Sequence, residues 1–149
     1  MKRQSLQTPL GPVTIHEENG VLTRLDWRDD PGDPSPLLDE AAAQLTAYFN
    51  RRLTAFDLPF DWGNGLQKQV RRSMAAIPLG ETLTYGDIAR ALNTPAQAIG
   101  QACGANPLPI LIPCHRVLGA KGLGGFSAKG GVETKVWLLR HEGAAGLLI

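Results

Sequence analysis

A chain of 149 residues, 43% hydrophobic and 19% charged, is long enough to bury a sizeable core without disulfide staples. Its net charge of +1 marks it neither as a polyanion binder nor as an acidic protein, and no apolar run reaches the roughly 20 residues of a membrane helix. Cys103 and Cys114 are too few for a disulfide framework and His16, His115 and His141 too scattered for zinc, so no metal, no organic cofactor and no membrane partner are expected.

Met1-Lys2-Arg3-Gln4-Ser5-Leu6-Gln7-Thr8 lacks the apolar core of a signal peptide, and a cytoplasmic location is expected. From Gly11 to Trp27, Val13, Ile15, Val21, Leu22 and Leu25 flank Glu18-Asn19-Gly20, which predicts a hairpin. The Pro- and Asp-rich run from Asp29 to Pro36 predicts a loop. Leu38, Ala41, Ala42, Leu45, Tyr48 and Phe49 then fall at helical spacing, predicting a helix from Leu37 to Arg52 with Asp39 and Glu40 near its start and Arg51 and Arg52 near its end.

Pro59, Gly63 and Gly65 interrupt the pattern where the charge also changes sign. Residues 1–62 hold 6 Lys and Arg against 10 Asp and Glu, a net −4; residues 63–149 hold 9 against 4, a net +5. The chain therefore divides into an N-terminal domain, 1–62, and a C-terminal domain, 63–149. The basic balance of the second is compatible with a polyanionic partner, although scattered solvated charge is the commoner cause.

In that second part, Leu66, Val70, Met74 and Ile77 form one helical stripe ended by Pro78-Leu79-Gly80. Thr84 and Asp87 make a capping-box-like start for a short helix through Ile88, Ala89 and Leu92. After Asn93, Thr94 is expected to cap, and Pro95 to begin, another helix ending near Gly104. Two short helices on a tight turn outline a helix-turn-helix, whose second helix presents the small residues Ala96, Ala98, Gly100 and Ala102 with hardly any bulk. Most such hairpins are packing units, and the small residues also suit contact with a neighbouring helix. A Gly-rich stretch from Gly119 to Gly131 fits no phosphate-binding fingerprint, and a last helix places Val132, Val136 and Leu139 on one face before His141-Glu142-Gly143.

Between these lies Ile112-Pro113-Cys114-His115-Arg116-Val117. A free cysteine is usually a small buried hydrophobe. A neighbouring imidazole and the cationic Arg116 are also the groups that raise a thiolate fraction, so Cys114 is a candidate nucleophile.

Ile77-Pro78-Leu79-Gly80, Thr84-Tyr85-Gly86-Asp87-Ile88-Ala89, Asn106-Pro107, Ile112-Pro113-Cys114-His115-Arg116-Val117 and Trp137-Leu138-Leu139-Arg140-His141-Glu142-Gly143 together closely resemble the O6-alkylguanine-DNA alkyltransferases. Thr8-Pro9-Leu10-Gly11 and Phe56-Asp57-Leu58-Pro59 resemble that family's N-terminal domain. The resemblance implies an α/β N-terminal domain of ribonuclease-H-like fold and a mainly helical C-terminal DNA-binding domain with a helix-turn-helix.

It also implies stoichiometric DNA repair: base flipping from double-stranded DNA, then transfer of an alkyl group from guanine O6 to Cys114, which ends the life of the protein as a reagent. In that scheme His115 relays the thiol proton through a water, Glu142 orients the imidazole, Tyr85 helps rotate the nucleotide and donates to guanine N3, and Asn106 braces the turn before the nucleophile. Thr94, Pro95, Ala96, Gln97 and Ala98 face DNA, together with Arg116, whose alternative role is to anchor the active-site segment. Val117, Phe126, Ser127 and Ala128 line the substrate site. A monomer is expected.

The sequence departs from the family pattern at Gln97, where an arginine usually enters the base stack, and at Phe126 and Ala128, where tyrosine and glycine are common. One alternative is a lesion sensor that binds without chemistry, though such proteins typically carry tryptophan in place of the cysteine. Another is a cysteine hydrolase, which would need an oxyanion hole and turn over an ester or peptide; nothing in the sequence requires either.

Overall fold

The computed structural model describes residues 1–124 and 130–144. The chain separates into two compact units, Met1–Asp61 and the remainder from Trp62. Phe126, Ser127 and Ala128 lie outside the described residues.

The first unit is an antiparallel sheet in the order β1 (Lys2–Thr8), β2 (Gly11–Glu18), β3 (Val21–Asp26), packed by helix α1 (Pro36–Phe49). The predicted hairpin is β2 and β3, turned by Asn19 and Gly20, both at positive φ (52° and 81°). Strand β1 is the addition. It is a run with Leu6 as its one apolar residue, and it forms because β2 offers it a continuous register from Lys2↔Glu17 to Thr8↔Gly11.

As the central strand, β2 buries polar as well as apolar residues, and each polar group is paired. Thr14 Oγ1 donates to the Arg28 carbonyl at 2.6 Å, His16 Nε2 meets Asp26 Oδ2 at 2.8 Å, and Glu17 accepts from the Ser35 hydroxyl. Ser35 also caps α1, accepting from Leu38 N at 3.1 Å with Pro36 in the first helical position. The helix buries Leu38, Ala41, Leu45 and Tyr48. It stops at Phe49, short of the expected Arg52, because Arg51 turns into the left-handed region at φ 60°; no basic residue stands in its last turn.

The second unit is built on helices α2 (Gly65–Ala75), α3 (Tyr85–Leu92), α4 (Ala96–Gly104) and α5 (Val132–His141). Helix α2 packs on α3 and α4 through the buried Val70 and Met74, and also on a single 3-10 turn at Cys114–Arg116. The capping box forms as the sequence predicts: Asp87 N donates to Thr84 Oγ1 at 3.0 Å, and Thr84 N to Asp87 Oδ2 at 2.8 Å. Asn93, left-handed at φ 50°, ends α3.

Two expectations are corrected. Thr94 does not cap α4; its hydroxyl donates to the Leu92 carbonyl at 3.0 Å, and Pro95 occupies the cap position with no side-chain bond. On α5 the buried face is Thr134, Lys135, Leu138 and Leu139, while Val132 is 43% exposed and Val136 half-buried. That face must cover the 3-10 turn, and the stripe in phase with Leu138 and Leu139 runs through Lys135.

Candidate active site

The site begins with a two-residue parallel ladder. Strand β4 (Leu83–Thr84) pairs with β5 (Val117–Leu118), in the register Leu83↔Val117 and Thr84↔Leu118. That ladder sets Leu83 beside Val117, the residue that follows the Cys114 turn, and Tyr85 opens α3 directly after β4.

The segment before Cys114 is held by Asn106, which is buried. Its Nδ2 donates to the Ile112 carbonyl at 2.9 Å, and its Oδ1 accepts from Leu108 N at 3.1 Å. Within the bracket Ile110 sits at φ 71°, a conformation that costs a β-branched residue on the order of 1–3 kcal/mol and persists only where surroundings impose it. The sequence expectation that Asn106 braces this turn matches these bonds.

Cys114 opens the 3-10 turn and is buried. Burial pushes its thiol above the ordinary value, while the Asn106 amide and then the Lys135 charge pull the other way. His115 is fully buried, and its Nε2 lies 2.6 Å from Glu142 Oε2. Burial raises the Glu142 pKa, but the hydrogen bonds and charges of His115 and Arg116 outweigh that and hold it at about 2. An ionised carboxylate only accepts, so Nε2 carries the proton and Nδ1 is the basic nitrogen. Burial also holds the imidazole below its ordinary pKa, against the pull of Glu142, which keeps the ring neutral. Nδ1 is buried and has no hydrogen-bond partner among the described residues.

Arg116 is buried too. Its Nε donates to Glu142 Oε1 at 2.8 Å, its Nη2 to Oε2 at 3.1 Å and its Nη1 to the Ile77 carbonyl at 2.6 Å. A guanidinium committed in this way cannot meet DNA, so its placement among the DNA-facing residues is corrected to the alternative, an anchor. The same bonds neutralise it against Glu142, and the cation that acts on the thiol is Lys135 rather than Arg116.

Tyr85 is half-buried, and burial, followed by the charges of Cys103 and Cys114, raises its pKa, so the hydroxyl stays a donor. A Cβ on Gly124 would stand 3.0 Å from Tyr85 Cε2 and 3.1 Å from its Oη, so Gly124 lies directly against the ring. On α4, Pro95, Ala96 and Gln97 are exposed and Ala98 half-buried, while Ile99, Ala102 and Cys103 face inward. Part of the small-residue stripe therefore packs inside, and part is open to a partner. Among the described residues no three His, Cys, Asp or Glu side chains converge as a metal site would require.

Lys135 escaped the sequence reading. It is fully buried, donates from Nζ to the Val117 carbonyl at 2.7 Å, and sits with Nζ 5.9 Å from the Tyr85 ring centre. The signal was available in its phase: it stands three residues before Leu138 and four before Leu139.

The arrangement is a buried thiol, a neutral imidazole whose basic nitrogen is unpaired among the described residues, and a carboxylate fixing the tautomer. Such a set deprotonates a nucleophile. Comparison with known proteins gives the setting. Residues 1–62 match the ribonuclease-like domain of 6-O-methylguanine DNA methyltransferase, and residues 65–144 match the DNA binding domain of the same family. The methylated-DNA–protein-cysteine methyltransferase of Mycobacterium tuberculosis is 39% identical over 155 residues, covering 93% of this chain and 90% of the relative. That of Salmonella typhimurium is 35% identical over 167 residues, covering 94% of each. A crystal structure of Mycobacterium tuberculosis OGT in complex with DNA superposes with a TM-score of 0.84 at 38% identity, covering 97% of this chain and 94% of that one.

Proposed function

The chain belongs to the O6-methylguanine DNA methyltransferase family and carries that family's activity, repair of O6-methylguanine by methyl transfer from DNA to a protein cysteine, and we propose that the accepting cysteine is Cys114. The observation that carries this reading is the His115 ring, its Nε2 proton committed to Glu142 and its Nδ1 left as the base next to Cys114 in the chain.

The step follows from the chemistry of the groups. The Cys114 proton passes through a water to His115 Nδ1. The thiolate attacks the alkyl carbon, forming the S–C bond as the C–O6 bond breaks, and the electron pair leaves with the purine. Tyr85, whose hydroxyl remains protonated, donates to guanine N3 as that charge arrives. A thioether has no easy return to thiol, so each molecule acts once.

The reacting atom lies inside duplex DNA, so the nucleotide is flipped out, at a cost of a few kcal/mol. The exposed face of α4 at Pro95, Ala96 and Gln97 supports a close approach to the duplex. Gln97 supplies hydrogen bonds but no charge, and α4 contains no charged residue at all. The carbonyls of Cys114 and Val117 read the guanine amine. That of Val117 already accepts from Lys135, and its second lone pair serves the base.

A stoichiometry experiment tests the activity. With O6-methylguanine DNA in excess, the protein gains one methyl and stops. Tight binding of the lesion with no mass gain supports the sensor reading instead, and repeated turnover of an ester supports a hydrolase.

A further inference from the structure

The proposed chemistry requires a negative sulfur in a place shielded from water, and it leaves one buried cation unused. Arg116 is neutralised by Glu142 through both carboxylate oxygens. Lys135 is tied differently. Val117 N donates to the Cys114 carbonyl, closing the 3-10 turn, and the Val117 carbonyl in turn accepts from Lys135 Nζ at 2.7 Å. The ammonium is thus fixed to the residue that ends the nucleophile's own turn. Its other wall is the Tyr85 ring, 5.9 Å from ring centre to Nζ, the electron-rich face that a cation prefers.

We propose that Lys135 is a positioning residue for the transfer: held by the Val117 carbonyl and the Tyr85 face, its ammonium is the fixed positive charge against which the Cys114 thiolate forms. This rests on the reading of Cys114 as the acceptor. Lys135 gives up no proton and no electrons in the step; the proton goes to His115, and the lysine supplies only field.

The groups that share this field come from every element around it. They are Tyr85 on α3, Cys103 on α4, Cys114, His115 and Arg116 on the 3-10 turn, and Glu142 at the end of α5. Burial pulls Lys135 down to about 8, with the sulfurs of Cys114 and Cys103 pulling it back up. The lysine therefore remains mostly charged at neutral pH. Cys103, pushed up to about 12 chiefly by burial, stays a thiol and does not compete for that charge.

The test needs no DNA. Carbamidomethylation of Cys114 by iodoacetamide is followed against pH in the wild-type protein, Lys135→Met and Lys135→Arg, with the modified cysteine assigned by fragmentation. The expected result is a rising limb displaced upward by about one pH unit or more in Lys135→Met, making it about tenfold slower below its midpoint, with Lys135→Arg close to wild type. A Lys135→Met limb that superposes on wild type overturns the proposal.

Should Lys135→Met not fold, the wild-type protein answers alone. The lysine titration is read by NMR from its ε-methylene before and after Cys114 is capped. Capping removes the negative sulfur, so the midpoint falls; an unchanged midpoint overturns the proposal. Failure here is distinct from failure of methyl transfer, because neither arm asks whether DNA donates the alkyl group.

Discussion

Arg116 grips Glu142 with two parallel hydrogen bonds, Nε to Oε1 at 2.8 Å and Nη2 to Oε2 at 3.1 Å, while His115 Nε2 meets the second of those oxygens at 2.6 Å. The carboxylate therefore stays charged, and its charge fixes which imidazole nitrogen is basic. A structural ion pair and the proposed catalytic tautomer share one residue.

Glu142→Gln should show the ion pair's part in stability. A folded-state pKa of about 2 against an ordinary 4.5 means the group stabilises the fold fully above about pH 4.5 and loses that contribution as pH falls toward 2. The amount is on the order of 3 kcal/mol. At neutral pH the variant leaves a buried guanidinium without its counter-ion, a loss of about 3–5 kcal/mol. Urea unfolding at stepped pH checks this: Glu142→Gln is less stable at pH 7 and shows a flatter acid limb, and parallel limbs contradict it.

Asn106→Ala removes both bonds that hold the turn around Ile110. Two buried partners, Ile112 O and Leu108 N, are left unsatisfied, costing about 2–4 kcal/mol together. The Asn106 amide also lowers the Cys114 thiol pKa, so the variant should react more slowly with iodoacetamide near neutral pH. A thermal melt and a thiol-reactivity profile test the two effects separately. Unchanged reactivity with lowered stability would limit Asn106 to bracing.

Gly124→Ala isolates the contact with Tyr85. Gly124 (φ 73°) and Gly20 (φ 81°) both occupy backbone that alanine resists, but only at Gly124 does a Cβ meet the tyrosine. Both substitutions should cost about 1 kcal/mol or more in stability. Only Gly124→Ala should slow methyl transfer severalfold, because it moves Tyr85. Equal transfer rates in the two variants would remove the contact from the mechanism.

Gln97→Arg restores a cation to an exposed position on a helix that has none. Duplex binding should tighten, and the slope of log affinity against log salt should steepen by about 0.9. Titrations at several salt concentrations read the slope directly. If affinity, slope and transfer rate all stay the same, Gln97 does not face the duplex.

Much of this was legible in sequence where a feature is local. The Asn19-Gly20 turn and the Thr84–Asp87 capping box each depend on residues within a few positions, and both form as expected. The pairing of His115 with Glu142 came from family resemblance, and the two meet at 2.6 Å across 27 positions. What escaped depends on tertiary context. Strand β1, KRQSLQT, has little apolar pattern of its own and is a strand because β2 pairs with it. Lys135 reads as surface because lysines are rarely buried, and Arg116 reads as a DNA contact because its carboxylate partner is remote in sequence.

Methyl transfer to Cys114 is tested most directly with DNA bearing a trideuteriomethyl group on guanine O6. Trypsin leaves Cys103 and Cys114 together in one peptide, residues 91–116, so fragment ions must assign the label. The account predicts a single trideuteriomethyl on Cys114, none on Cys103, and no label in Cys114→Ser. Label on Cys103, or lesion binding with no label at all, would contradict it.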